Sequence, residues 1–519
     1  MKKVLIFIIA GCLFLLVSCN DITTPATTHP ISTLPQTSTI LTTLTTQAPT
    51  STVLTTIPTT EPTTTTTELS ELERIVSQLE NPYRIALFMT ENPMTSMAIN
   101  FEMPDATEGY VEYALDGETD FTRIKAIDKT RNIGRRVVYL FGATLSDLTP
   151  GATYMYRVTN TDSSVMSPLY QFTMPVPDRE DFTFLFLSDA QENWDYGYRI
   201  YAYNVVSVME HTQRDFDFVM FPGDMINDAD TRSQWDSFLK YSSVFSYAKP
   251  MAATAGNHDG AGFFKERIQS MEYDGYLHLP TNGPTYGPFT ELEGDLRLED
   301  YDQGKTYSFD YGSVHFVIIN TEMFCDGTTT CPVYDVANGE ILKTWLHHDL
   351  ENNTLPWTIV MLHRGPYSLS YDTYRVREQL VPIFEEYGVD LVLAGHDHQY
   401  SRAIYWEGQM VDFSGHDDYH LGSLAISEES GSPHFNQYPQ GTGVTYLTGN
   451  TTATKFYGGQ RSSGISVHYR YIDPQSVISY VNVSEERIEV VSYVVRTADA
   501  VLYEVIDVEV LETFEIYRD

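Results

Sequence analysis

The sequence predicts an α/β layered domain preceded by an all-β sandwich. Three observations predict this. Five short apolar runs between residues 182 and 394 each end at an Asp, Asn or His. Stretches with helical spacing of apolar residues alternate with them, as in an α/β fold whose sites gather at the carboxyl ends of the strands. Upstream, residues 83–175 alternate apolar and polar side chains between turn residues, the pattern of half-buried antiparallel strands.

At 519 residues the chain is long enough for two or three domains. Its apolar content of 42 % and aromatic content of 13 % fit a globular body. The formal net charge of −38 excludes a nucleic-acid backbone as a general partner and gives no long-range attraction for anions. A phosphate site in this chain must create positive potential locally, as bound metal ions do.

The chain begins with Lys2 and Lys3, then an apolar run from Val4 to Val17 that is too short for a stable membrane span. It closes on Leu16-Val17-Ser18-Cys19, which resembles the lipobox of bacterial lipoproteins. That resemblance implies a signal peptide over 1–18 and a lipidated Cys19 that anchors the protein to the outer face of the cell membrane. Residues 19–68 are mostly Thr with scattered Pro and Ser, and they cannot bury enough apolar surface to offset their conformational entropy. This stretch reads as a disordered tether, with a reach on the order of 150 Å if extended, which suits a body held out through a cell-wall layer. Cys325 and Cys331 flank a short loop and can form a local disulfide in an oxidising compartment.

Residues 69–79 have helical spacing. In the alternating region, Leu148-Thr149-Pro150-Gly151-Ala152-Thr153-Tyr154 resembles the turn and strand of a fibronectin type III domain. The resemblance makes Tyr154 a structural corner rather than a binding residue, and nothing else in 83–175 carries visible chemistry.

Pro175-Val176-Pro177 leads into a large unit spanning 180–519. Its first strand, Phe182 to Leu187, ends at Ser188-Asp189, and its second, Asp217 to Phe221, ends at Pro222-Gly223-Asp224. Lys249 to Ala255 leads to Gly256-Asn257-His258-Asp259, and Trp357 to Leu362 leads to His363-Arg364. Val389 to Ala394 reaches Gly395-His396-Asp397-His398. Helices are predicted at 198–211, 233–247, 338–353 and 374–387, the last kinked at Pro382. A lone Asp after a strand is commonly a helix cap or turn former. Five strand ends supplying carboxylate, amide and imidazole together point instead to a metal centre.

These five blocks, in this order, resemble the metal-binding blocks of calcineurin-like metallophosphoesterases. The fibronectin-like unit upstream, Gln399-Tyr400-Ser401-Arg402 and Trp345-Leu346 place the resemblance in the purple-acid-phosphatase-like branch. It implies a four-layer sandwich of two mixed sheets flanked by helices, and two metal ions drawn from Fe, Mn or Zn. By the same resemblance Asp189, Asp224 and His398 hold one ion, while Asp224, Asn257, His363 and His396 hold the other. Attack on phosphorus by a metal-bound hydroxide follows, with His258 stabilising charge or protonating the leaving group. Arg364 is either a phosphate contact or a structural salt bridge. The implied activity releases phosphate from organic phosphomonoesters. Phosphodiesters or nucleotides are the alternative substrates, and a catalytically decayed surface-binding protein is the reading from another class.

The sequence departs from the family at two places. Purple acid phosphatases carry a metal-binding Tyr three residues after the bridging Asp, where this chain has Asn227. Other members carry a His two residues after the first Asp, where this chain has Gln191. Either amide can ligate, or the first metal binds loosely or is divalent, and the protein is not expected to be purple. His347 and His348 read as solvated, His416 and His420 as loop residues, and 274–299 as an insertion near the mouth of the site. Three runs at 477–483, 487–493 and 501–510 read as antiparallel strands closing the second sheet.

Overall fold

The computed structural model describes residues 71–518, apart from 105, 134–135, 178, 180, 261–270, 286–303, 325–335, 372, 412–434, 458–464 and 498–504. The expected signal peptide and tether, the Cys325–Cys331 pair, His416, His420 and much of the 274–299 insertion lie outside the described residues. Among the described residues no helix is long and apolar enough to cross a membrane.

Two sheets face each other in the large unit. The first runs, in spatial order, Phe435–Pro439, Val505–Tyr517, Arg487–Thr497, Ser476–Val483, Phe182–Phe186, Phe218–Phe221 and Met251–Ala253. The second runs Tyr307–Tyr311, Val314–Ile319, Trp357–Arg364, Leu391–Gly395, Val444–Thr448, Tyr400–Trp406 and Gln409–Met410. The site-bearing strands of each sheet pair in parallel and are buried along nearly their whole length, which is why they read as unbroken apolar runs. Their inner faces meet in an aromatic core: Phe184 lies edge-on to Phe316, and Phe182 edge-on to Tyr311.

Helices Asp195–Thr212 and Arg232–Ser246 belong to the core cluster built on the first sheet. Helices Val336–Glu351 and Tyr374–Glu386 cover the second through Leu342, Leu346, Leu380 and Phe384. All four fall within two or three residues of the predicted bounds, and Pro382 sits inside the last helix on its exposed side. His348 is exposed and His347 half-buried beside Tyr387.

The three C-terminal runs form antiparallel strands, as expected, and what differs is the sheet they join. They extend the sheet of the Asp189 and Asp224 loops, with Ser476–Val483 antiparallel to Phe182–Phe186. Phe182–Phe186 has Phe218–Phe221 on one side only, so its other edge is open to them. The place beside Leu391–Gly395 in the second sheet is taken by Val444–Thr448.

The N-terminal strands form a sandwich around Ile99, Phe101, Val111, Phe141, Tyr156 and Phe172. Tyr154 is a corner, its hydroxyl accepting the Thr149 N–H at 2.9 Å. One sheet of this sandwich does not stop at the linker. Phe88 pairs in parallel with Met251, so Ala86–Phe88, Met97–Glu102, Leu140–Leu145 and Ile127–Asp128 continue the first large sheet to eleven strands.

Candidate metal centre

The strands of the two sheets deliver their carboxyl ends to one cleft. Asp189, Asp224, His396 and His398 all have left-handed backbone, with φ of 47°, 54°, 73° and 51°. Such conformations cost of order 1 kcal/mol each for residues other than glycine, and Asp and His tolerate them better than bulkier or β-branched types. Turning left directly after a strand is what aims these side chains inward. Close approach also fixes two glycines: a Cβ on Gly223 would stand 2.3 Å from the Gly256 nitrogen, and one on Gly256 would stand 2.3 Å from Asp224 Oδ1.

Two triads result. Ligand-type atoms of Asp189, Asp224 and His398 lie within 4.8 Å of one another, and so do those of Asp224, His363 and His396. Asp224 belongs to both. Asn257 joins the second, its Oδ1 being 3.1 Å from His363 Nε2. The imidazoles are oriented from behind. His363 Nδ1 donates to the Pro222 carbonyl at 3.0 Å, and His398 Nδ1 donates to the Lys455 carbonyl, which turns each Nε2 toward the carboxylates.

The donor chemistry fits a pair of cations. Asp189 and Asp224 are fully buried. Burial, reinforced by Asp224 and opposed by His363, pushes Asp189 up to about 7. Burial also pushes His398 down to about 3, and His396 well down with the help of Arg364. His363 goes the other way: burial alone would depress it, but the Asp224 carboxylate raises it to about 9. Buried carboxylates gathered with three imidazoles are the donor types that suit metal ions.

The remaining predicted residues are placed as follows. His258 Nδ1 donates to the Asn227 carbonyl at 2.7 Å, and its backbone N–H donates to Asp224 Oδ1 at 2.8 Å. Burial lowers its pKa. Arg364 forks onto Glu322 at 2.7 and 3.0 Å and donates to His396 Nε2 at 2.9 Å. Its guanidinium is thus tied into a buried ion pair at the rim of the second triad. Gln191 Nε2 lies 2.8 Å from Asp224 Oδ2 and 2.9 Å from His398 Nε2. The side-chain oxygens of both Gln191 and Asn227 accept from the Lys455 ammonium.

Sequence reasoning missed Lys455, Glu322, Tyr371 and Tyr457. Tyr457 stacks on His398 with centroids 4.1 Å apart, and Tyr371 packs on His396 at 4.5 Å. Lys455 and Tyr457 follow Gly449-Asn450-Thr451, a turn after a buried strand, and that position was the one signal available.

Residues 182–400 match the calcineurin-like phosphoesterase family, and residues 82–174 match the purple acid phosphatase N-terminal domain. The chain thus carries a calcineurin-like phosphoesterase domain behind a purple acid phosphatase N-terminal domain. The chain is 29 % identical to an acid phosphatase of Aspergillus ficuum over 230 residues, 33 % of this chain and 36 % of that one. It is 26 % identical to purple acid phosphatase 21 of Arabidopsis thaliana over 268 residues, 50 % of this chain and 52 % of the relative. The chain therefore spans about a third to a half of the length of these relatives. Among solved structures, the purple acid phosphatase from yellow lupin (Lupinus luteus) seeds superposes with a TM-score of 0.59 at 15 % identity, covering 84 % of this chain and 74 % of that one. The shared fold is the metallophosphoesterase sandwich with its N-terminal β domain.

Proposed function

We propose that this phosphoesterase hydrolyses organic phosphomonoesters at a two-metal centre. The observation that carries the reading is the pair of triads sharing Asp224, each within the reach of one ion. Asp189, Asp224 and His398 would hold one metal, and Asp224, Asn257, His363 and His396 the other, with Fe, Mn and Zn all suited to the donors. Such a pair supplies a water acidic enough to act as a nucleophile near neutral pH, and positive charge opposite the phosphoryl oxygens.

The chain's own residues do the rest. Pro222 and Lys455 carbonyls hold the imidazoles in the ligating tautomer. Asp259 fixes the loop that carries the shared carboxylate. His258 reaches the cleft from beside Asn257 without being needed as a ligand, so it is placed to meet a phosphoryl or leaving-group oxygen. Arg364 holds His396 through a guanidinium already committed to Glu322.

The same reading places the enzyme outside the cytoplasm, tethered by a lipidated Cys19 through the Thr-rich stretch 19–68, within reach of the cell wall. The N-terminal sequence supports this, and Cys19→Ser should release the protein from the membrane fraction.

The deciding assay uses the chain stripped of metal and reloaded with Fe, Mn or Zn, on p-nitrophenyl phosphate and bis-p-nitrophenyl phosphate. Monoester turnover that disappears in Asp224→Ala is expected. A diester preference would move the activity to phosphodiesters. A folded, metal-loaded protein that turns over neither ester would leave a surface-binding role.

A further inference from the structure

Lys455 sits on a loop that gives it little freedom. Thr451 Oγ1 donates to the Asp189 carbonyl at 2.6 Å, and the Thr452 N–H and hydroxyl both donate to the Ser188 carbonyl. The Thr454 N–H donates to Glu192 at 2.8 Å, and the Lys455 carbonyl itself accepts from His398. The residues just before the lysine are thus stapled to the first metal-bearing strand end, and its own carbonyl to His398.

From there the ammonium enters the cleft. It donates to Gln191 Oε1 and to Asn227 Oδ1, both at 2.7 Å, and stands 3.5 Å from His258 Nε2. Its two close acceptors are neutral amides, which orient the group, while the carboxylates of Asp224, Asp189, Glu192 and Asp228 act on its charge without a hydrogen bond to it. An ammonium has three N–H bonds, and two of them are spent on these oxygens. The third points toward His258 Nε2 at the outer limit of a hydrogen bond, with the His258 Nδ1 proton committed to the Asn227 carbonyl. A fixed cation and an imidazole therefore converge on one small volume beside the shared carboxylate.

We infer that Lys455 binds a phosphoryl oxygen of the substrate and selects the dianionic phosphate of a monoester over the monoanionic phosphate of a diester. This rests on the phosphohydrolase reading above and deepens it. A metal pair bound by Asp224 favours any phosphate, whereas an additional cation at the cleft wall rewards the second negative charge that only a monoester carries. It also requires room for an unesterified oxygen at that wall, where a diester would place an alkyl or aryl group. The amides at positions 191 and 227 then serve to hold this lysine in place.

The test uses the full chain and Lys455→Gln, each loaded with the same metal. Metal content is read by elemental analysis, kcat/KM on p-nitrophenyl phosphate and bis-p-nitrophenyl phosphate, and inorganic phosphate affinity by calorimetry. Loss of one charge-assisted hydrogen bond should lower monoester kcat/KM by about 30-fold and weaken phosphate by a similar factor. Diester kcat/KM should change by less than about 3-fold, with metal content unchanged. An equal loss on both esters, or unchanged phosphate affinity, would overturn the assignment and leave Lys455 a structural strut. If the wild type turns over neither ester, the phosphohydrolase reading fails by itself, and phosphate affinity in the two proteins still decides whether Lys455 is an anion site. Should Lys455→Gln fail to fold, protection of Lys455 from acetylation by phosphate in the wild type gives the answer: protection supports the contact, and equal labelling refutes it.

Discussion

Asp259 Oδ2 accepts the backbone N–H of Asp224 at 2.6 Å. The same carboxylate accepts from Gly256 at 2.9 Å, from Met225 at 2.9 Å and from Ile226 at 3.2 Å. One fully buried side chain thus closes the turn that bends Asp224 into its left-handed conformation and ties it to the turn before Asn257. Asp259→Ala would leave these donors buried with no acceptor, at about 1–3 kcal/mol for each one unmet. The expected result is a loss of about 3–5 kcal/mol in denaturant unfolding together with loss of bound metal. Asp259→Asn keeps only one good acceptor oxygen and should fall between the two. A variant of wild-type stability and metal content would show that the turn holds itself.

His258 invites the opposite pattern. Its link to Asp224 is made by the backbone N–H, which alanine retains, and its ring is held by the Asn227 carbonyl rather than by a ligand side chain. His258→Ala should therefore keep its full metal content while kcat falls about 100-fold, the usual size of a lost proton-transfer or charge-stabilising group. Loss of metal in this variant would make His258 a ligand or a prop of one.

The five strand-end blocks were legible because each is local: an apolar run, a turn and a ligand-type residue lie within ten positions of one another. The helices were legible for the same reason, as in 374–387, where Val376, Leu380, Ile383 and Phe384 face the core. What escaped was long-range. Lys455 meets Gln191 across 264 residues of sequence and Asn227 across 228, and no periodicity relates them. Arg364 could be read as a phosphate contact or a salt bridge until its partner Glu322 was located. The hairpin Tyr307–Tyr311 with Val314–Ile319 went unread although its second strand is as apolar as the others, because no expected ligand marks its end. The placement of the C-terminal strands likewise depends on which sheet edge is open, and that is a property of the assembled sheets.

The continuous sheet has a thermodynamic consequence. Besides the Phe88–Met251 pairing, the N-terminal sandwich meets the large unit through Tyr170, stacked on Tyr247 at 4.1 Å, and through the Tyr156 hydroxyl, which donates to the Tyr247 carbonyl at 2.9 Å. Arg84 pairs with Asp236, and Arg232 with Glu102. A chain starting at residue 180 would expose the edge of Met251–Ala253 and the apolar surface beside it, the arrangement that promotes aggregation. Calorimetry of the region from residue 71 should give one cooperative transition, and the large unit alone should be insoluble. Two separated transitions would mean that the shared edge contributes little.

His315 makes stability depend on pH well away from the metal centre. Burial alone would lower its pKa, but hydrogen bonds to Asp310 at 2.7 Å and Asp349 at 3.0 Å outweigh burial and raise it to about 9. These carboxylates come from the neighbouring strand Tyr307–Tyr311 and from the helix Val336–Glu351 that covers the sheet. The folded protein therefore holds this proton more tightly than the unfolded chain, whose histidine titrates near 6.5. The stabilisation is complete below about pH 6.5 and is lost as pH rises through about 9. Unfolding free energy should accordingly decline between those values in the wild type. Asp349→Asn removes one of the two charges, so the decline should be shallower and should end at lower pH. An identical slope in the wild type and Asp349→Asn would mean that the ion pair does not hold the proton.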